Sequence, residues 1–214
     1  MKGVILDFDT IGPDDLDTSI LLSLPISWQI YGNTSFNEVN ERIRYADVVL
    51  TNKVELSNEN IKQAANLKLI GLFATGTNII DLEAASDKNI CVSNAVAYCT
   101  DSVVQHVWAL ILALTTRIFD YSQAATDGRW ERSNSFCVMD YSVKELAGKT
   151  LGVVGAGELG RAVASVGLAF GMNVKYALFP ERHSFTHDNR LEFKVLLQQS
   201  DIVTLHLSLI HISE

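Results

Sequence analysis

The feature that most restricts this chain is a run of six residues, Gly155-Ala156-Gly157-Glu158-Leu159-Gly160, set directly behind an apolar stretch at 151–154 and directly before the helical pattern RAVASVGLAFGM. In this GxGxxG spacing each glycine answers a different steric demand. Gly155 permits a tight turn, Gly157 lets the main chain approach a diphosphate, and Gly160 lets helix and strand pack closely, with the helix N-terminus facing the phosphates. An apolar strand before, an amphipathic helix after and a second strand, NVKYAL, downstream make this a dinucleotide site; a purely structural glycine turn is the alternative. The acid that ordinarily ends the second strand and accepts ribose hydroxyls is missing. Its place is taken by Leu178, and the nearest charges are Glu181, Arg182 and His183. Arg182 suits a 2'-phosphate, as NADP carries, but reads equally as a solvated loop charge, so NAD and NADP both stay open.

The rest of the chain alternates in the same way. Short apolar runs, GVILDF, ADVVLTN, LKLIGLFA and ICVSN, then TLGVVGAG, NVKYAL and DIVTLHL, are separated by helical segments. They are rich in Val, Ile and Leu without strict polar alternation, the pattern of parallel strands covered on both faces, so the predicted class is α/β. Four strands are expected before residues 98–100 and at least three after. Between the two groups, Val103 to Leu114 is apolar nearly all round, which predicts a helix buried between two bodies, capped by Thr100 or Asp101. A chain of 214 residues with 48% hydrophobic content suits two domains.

The formal charge of -8 comes from 17 basic and 25 acidic residues, and no basic cluster is available to neutralise phosphates, so neither nucleic acid nor an anionic membrane is an expected partner. Cys91, Cys99 and Cys137 show no metal-ligand spacing and read as reduced, mostly buried thiols, which places the chain in the cytoplasm; no metal is expected. The apolar run after Lys2 is too short for a signal peptide, and nothing later approaches a membrane span.

Several stretches together resemble the D-isomer-specific 2-hydroxyacid dehydrogenases, in the glycerate dehydrogenase or hydroxypyruvate reductase branch. They are LDFDTIGPDDLD, ATGTNIIDLEAA, VSNAVAYCTDSVVQHVWALILAL, GRWERSNSFCVMDYSVKELAGKTLGVVGAGELGRAVA and SDIVTLH, which span nearly all of residues 1–207. The resemblance implies two Rossmann-like parallel-sheet domains: a flavodoxin-like substrate domain at 1–99, without its C-terminal return segment, and an incomplete NAD(P)-binding Rossmann domain at 100–207. It also implies hydride transfer between NAD or NADP and a small 2-keto or 2-hydroxy acid, hydroxypyruvate, glycerate or glyoxylate, in a homodimer. The substrate carboxylate is then expected on the backbone amides of Ala74, Thr75, Gly76 and Thr77, a loop that otherwise reads as a plain turn. The coenzyme is expected against Thr100, Gly155, Gly157, Glu158, Leu159, Gly160, Leu178 and His206. His206 lines the coenzyme and is not the proton donor. His106 reads as a packed core or interface histidine, and Trp108, Trp130 and Phe136 as packing in the helix and arm that join subunits in the family.

The family's catalytic Arg, Glu and His all follow the strand DIVTLH, so none is expected within these 214 residues. On this reading residues 208–214, SLIHISE, form a non-native tail, and the chain as given is a fragment without turnover. Two rival readings remain. One is a nucleotide-sensing interaction protein on the same scaffold. The other is a haloacid-dehalogenase-type phosphatase using Asp7 and Asp9, whose DxDx[TV] motif is broken by Ile11; those two aspartates are more simply the end of a strand at a domain surface.

Overall fold

A computed structural model describes residues 1–178 and 189–207. The chain divides into two compact units, Met1–Tyr98 and Cys99–Glu214. The first contains β1 (Lys2–Ile5), α1 (Ser19–Leu22), β2 (Ser27–Ile30), α2 (Val39–Ile43), β3 (Val48–Thr51), α3 (Asn58–Gln63), β4 (Leu69–Leu72), α4 (Leu82–Asp87) and β5 (Cys91–Asn94). The second contains α5 (Thr100–Thr116), α6 (Ile118–Thr126), β6 (Thr150–Val154), α7 (Glu158–Ala169), β7 (Asn173–Leu178), β8 (Arg190–Glu192), α8 (Phe193–Gln199) and β9 (Ile202–Leu205).

In the first unit the five strands are all parallel, in the order β2-β1-β3-β4-β5, the flavodoxin-like arrangement. The register sets Val49 beside both Val4 and Ile70, and Ile70 beside Val92. Val4, Leu6, Val49 and Ile70 pack with Val39 and Ile43 of α2, Ile61 of α3 and Ala84 of α4 in one continuous core. The helices begin where side chains can cap them. The Ser57 hydroxyl accepts from the Asn60 N–H, and an Asp81 carboxylate oxygen accepts from the Ala84 N–H at 2.9 Å. Ser27–Ile30 went unpredicted, so the unit has five strands where four were expected. Lying at the sheet edge, β2 exposes three of its four residues and shows no apolar run to read.

The second unit is also wholly parallel, in the order β8-β7-β6-β9, the first four places of the doubly wound nucleotide-binding order. Leu151 and Val153 of β6 pack with Val163 and Ala164 of α7 and with Trp108 and Ile111 of α5. Trp108 is held by a stacked contact with Phe170, centroids 5.0 Å apart, and its Nε1 donates to the Val163 carbonyl at 3.2 Å. That makes Trp108 a packing residue, as expected. Other expectations for this region change. Helix α5 is not buried all round within the chain, since Leu110 and Leu114 are 52% and 77% exposed. His106 is exposed and so is no core histidine, while Trp130 and Phe136 are exposed in the single chain, where packing between subunits stays an expectation. Neither Thr100 nor Asp101 caps α5: the N-cap position is Cys99, and it makes no side-chain cap bond.

Two further corrections concern single side chains. Cys91 is exposed and Cys99 and Cys137 are half-buried, so the unpaired thiols are not mostly buried. Asp7 does not lie at a surface: it is 1% exposed, and its carboxylate accepts from the N–H groups of Asn52 at 2.9 Å and Lys53 at 2.6 Å. Asp9, exposed, accepts instead from the Asn33 side chain. One carboxylate is spent on tying β1 to the chain after β3 and the other faces solvent, which is no arrangement for a nucleophile and its partner acid. Among the described residues no single helix is long and apolar enough to cross a membrane; α5 and α6 together reach that length and composition, but with a 63° bend.

Replacing Asp7 by Ala strands the buried Asn52 N–H and the part-buried Lys53 N–H and should destabilise the protein by about 2–4 kcal/mol, read as a lower urea midpoint with unchanged m-value.

Candidate functional site

All three long strands of the second unit run the same way, so the residues that follow them gather at one edge of the sheet, where open α/β sheets hold their ligands. Gly155 follows β6, Leu178 ends β7, and His206 follows β9. Gly155 has a φ of +104°, and a Cβ there would collide with the carbonyl of His206, whose own N–H donates to the Val154 carbonyl at 2.7 Å. At Gly160 a Cβ would collide with the Gly155 carbonyl, so the first turn of α7 lies directly on the loop. Gly157 differs: its φ is -73°, and a Cβ built on it meets no atom of the described residues within 4 Å. None of the described residues asks for glycine at that position. Space there is left for a ligand approaching the main chain, which is how these residues fit a diphosphate.

The charges beside this loop are few. Glu158, exposed, opens α7, and its Oε1 accepts a hydrogen bond from the Thr100 hydroxyl at 2.5 Å. Arg161 turns Nη1 back onto the Ala156 carbonyl at 3.0 Å, bracing the loop from behind. Leu159 is half-buried and Gly160 buried. Leu178 is 46% exposed, an apolar surface where a ribose-binding acid is usual. Glu181, Arg182 and His183 lie outside the described residues. His206 is half-buried and shares a 2.8 Å hydrogen bond with the Thr204 hydroxyl; burial pushes its imidazole pKa down.

In the first unit the expected carboxylate loop follows β4. Its carbonyls are turned inward: that of Ala74 accepts from the Ala95 N–H at 3.1 Å, and that of Thr75 from the Asn94 side-chain amide at 2.7 Å. In a planar trans peptide the next N–H points the opposite way, so the N–H groups of Thr75 and Gly76 face away from β5. Both residues are exposed, while Ala74 and Thr77 are half-buried. Two outward donors without an intervening side chain at Gly76 suit a carboxylate. The Asn94 contribution was not read from the sequence, because an Asn closing an apolar run gives no sign of where its amide will reach.

Two cavities lie elsewhere in this unit. One of about 680 Å³ sits against β1, β2 and α2, but its cations are already engaged, Arg42 lying 3.9 Å over the Tyr31 ring and Arg44 over Tyr45. The other, about 380 Å³, is lined by Asp7, Thr10, Asn33 and Lys53 and opens beside the β1 and β3 ends. The placement of backbone donors, not cavity volume, selects the two loops. Among the described residues no group of three or more His, Cys, Asp or Glu side chains is placed to hold a metal ion.

Known proteins are similar to this chain over nearly all of its length. Residues 108–212 match the sequence family described as D-isomer specific 2-hydroxyacid dehydrogenase, NAD binding domain. The chain is 35% identical over 199 residues to the glycerate dehydrogenase of Methylorubrum extorquens, covering 92% of this chain and 62% of that protein. It is 35% identical over 214 residues to the hydroxypyruvate reductase of Blautia hydrogenotrophica, covering 98% and 66%. The D-lactate dehydrogenase of Aquifex aeolicus, solved with NAD and lactic acid, superposes with a TM-score of 0.72 at 27% identity, over 97% of this chain and 60% of that one. The chain thus spans about two thirds or less of the length of these relatives.

Two stability measurements test this geometry. Gly160→Ala should cost about 1–3 kcal/mol, because backbone must shift, whereas Gly157→Ala should stay within about 0.5 kcal/mol of the parent. Because burial lowers the imidazole pKa, the folded chain binds that proton less tightly than the unfolded chain does. The associated stability is complete above the ordinary imidazole range and is lost as pH falls through it. His206→Gln should therefore flatten the fall in stability between about pH 7.5 and about pH 5.

Proposed function

The chain belongs to the D-isomer-specific 2-hydroxyacid dehydrogenase family, and on that premise we propose that the protein exchanges a hydride between NAD or NADP and C2 of a small 2-keto or 2-hydroxy acid, of the hydroxypyruvate, glycerate or glyoxylate type. The observation that carries this reading is the open space at Gly157, in a loop whose other two glycines are explained by protein atoms. When bound, the coenzyme supplies the hydride chemistry. This chain's residues supply position. The first-turn N–H groups of α7, at Glu158, Leu159 and Gly160, have no acceptor within the helix and receive the diphosphate, with Gly155 setting the turn. Exposed Leu178 and half-buried His206 offer a wall for the rest of the coenzyme, and Thr100 stands beside the loop through its bond to Glu158. In the first unit the outward N–H groups of Thr75 and Gly76 take the substrate carboxylate, between Ala74 and Thr77.

The names of the relatives, a glycerate dehydrogenase and a hydroxypyruvate reductase, support a three-carbon substrate, and they favour turnover over a coenzyme-sensing role without chemistry. The exposed Leu114, Phe119, Phe136 and Met139, 77% to 94% accessible, form more apolar surface than a lone domain ordinarily shows, which supports a homodimer through α5, α6 and the arm after them. Three unpaired thiols fit a cytoplasmic setting.

Hydrogen exchange of the protein expressed from its complete coding sequence is the direct test. NADH or NADPH should protect the amides of residues 157–160, and Gly157→Val should abolish that protection while leaving the melting temperature nearly unchanged. An unprotected loop at saturating coenzyme overturns the reading. Asn94→Ala, which releases the Thr75 carbonyl, should raise KM for hydroxypyruvate by about three- to tenfold with a smaller change in kcat, the loss expected for one hydrogen bond.

A further inference from the structure

We propose that Thr100 and Glu158 form a latch that sets how tightly the glycine loop holds the coenzyme, an inference that rests on the reading of that loop given above. The sequence places a carboxylate at the first residue of α7, immediately after Gly157. That position has two physical consequences. A carboxylate in the first turn is drawn toward the positive end of the helix, where it competes with the diphosphate for the same N–H donors. It also repels the diphosphate charges directly. Among the described residues no cation lies within salt-bridge distance of Glu158, and the nearby Arg161 is turned onto the Ala156 carbonyl. Among the described residues nothing neutralises that charge, and an incoming anion feels it.

The structure shows where that carboxylate goes instead. The hydroxyl of Thr100, 58 residues away in sequence, donates to Glu158 Oε1 at 2.5 Å. Thr100 is the first residue of α5, and the position before it, which makes no cap bond with its own side chain, is Cys99. A hydroxyl well placed in sequence to serve as a helix cap thus donates to a carboxylate on another helix of the same unit. Held there, the carboxylate is kept off the loop N–H groups, and they remain open to the diphosphate. Thr100 is a positioning residue acting through Glu158, and Glu158 is a built-in competitor that keeps coenzyme affinity moderate.

The diphosphate is common to both coenzymes, and the 2'-phosphate sits on the adenosine ribose across the ring from the 5' oxygen that carries the diphosphate, so the latch acts on NADH and NADPH alike. Coenzyme dissociation constants from nucleotide fluorescence, on the protein expressed from its complete coding sequence, test it. Glu158→Gln should tighten both NADH and NADPH by about three- to tenfold at low salt, and the gain should shrink as ionic strength rises past about 0.15 M. Thr100→Val should weaken both severalfold in the parent and change nothing in the Glu158→Gln background, while Thr100→Ser should restore parental affinity. Melting temperatures identify any variant that fails to fold, and the Thr100→Ser and Thr100→Val pair then carries the test.

Parental protein that binds coenzyme while Glu158→Gln leaves affinity unchanged overturns the latch and leaves the loop assignment standing. An effect confined to one of the two coenzymes, or a Thr100→Val effect that persists without the carboxylate, overturns it as well. Parental protein that binds neither coenzyme overturns the loop assignment, and the latch falls with it.

Discussion

The second unit depends on one close approach, that of Gly155 to the carbonyl of His206. Because a Cβ cannot stand between them, the chain leaves β6 at a φ of +104° and is pressed against the end of β9. That contact fixes where α7 starts, and Gly160 repeats the same demand one turn later against Gly155 itself. With both ends of the loop pinned by backbone, its middle is held out from the protein. The room at Gly157 follows from the crowding on either side of it.

The first unit reaches a comparable result by different means. It has no glycine pair to press a loop into place, so it uses acceptors: the carbonyls of Ala74 and Thr75 are consumed by Ala95 and by Asn94, and peptide planarity turns the following N–H groups outward. Asp7 works in the same way on the neighbouring strands, its carboxylate taking up the N–H groups after β3. In both units outward main-chain donors are aimed by the groups behind them, backbone at Gly155 and Ala74 and the Asn94 side chain at Thr75. Such sites depend little on the identity of the exposed residue and strongly on what lies behind it.

This division explains what the sequence revealed. The strands buried on both faces, such as β3 and β6, are apolar runs and could be read directly, and the glycine spacing announced its loop because each glycine replaces a side chain that would collide or intrude. Ser27–Ile30 and Arg190–Glu192 could not be read, since edge strands are held by backbone pairing and their side chains carry no pattern. The same limit applies to Asp7, whose burial depends on amides 45 residues away, and to Thr100, whose hydroxyl reaches Glu158 across 58 residues. Helix α5 shows the reverse failure. Its composition is apolar all round, but burial of Trp108 and Ile111 uses one face only, because composition does not say how many neighbours a helix has.

The absence of antiparallel pairing from either sheet, among the described residues, bears on how the chain acquires its shape. No two strands can be closed by a local hairpin, so each pairing waits for a crossover to be synthesised; β1 meets β3 only after Val48 has been made. Contacts this distant in sequence make for slow folding. All pairings of the first sheet nevertheless lie within the first 94 residues. During translation that sheet can assemble on the ribosome before β6 emerges, and the order in which the two units form is set by the direction of synthesis.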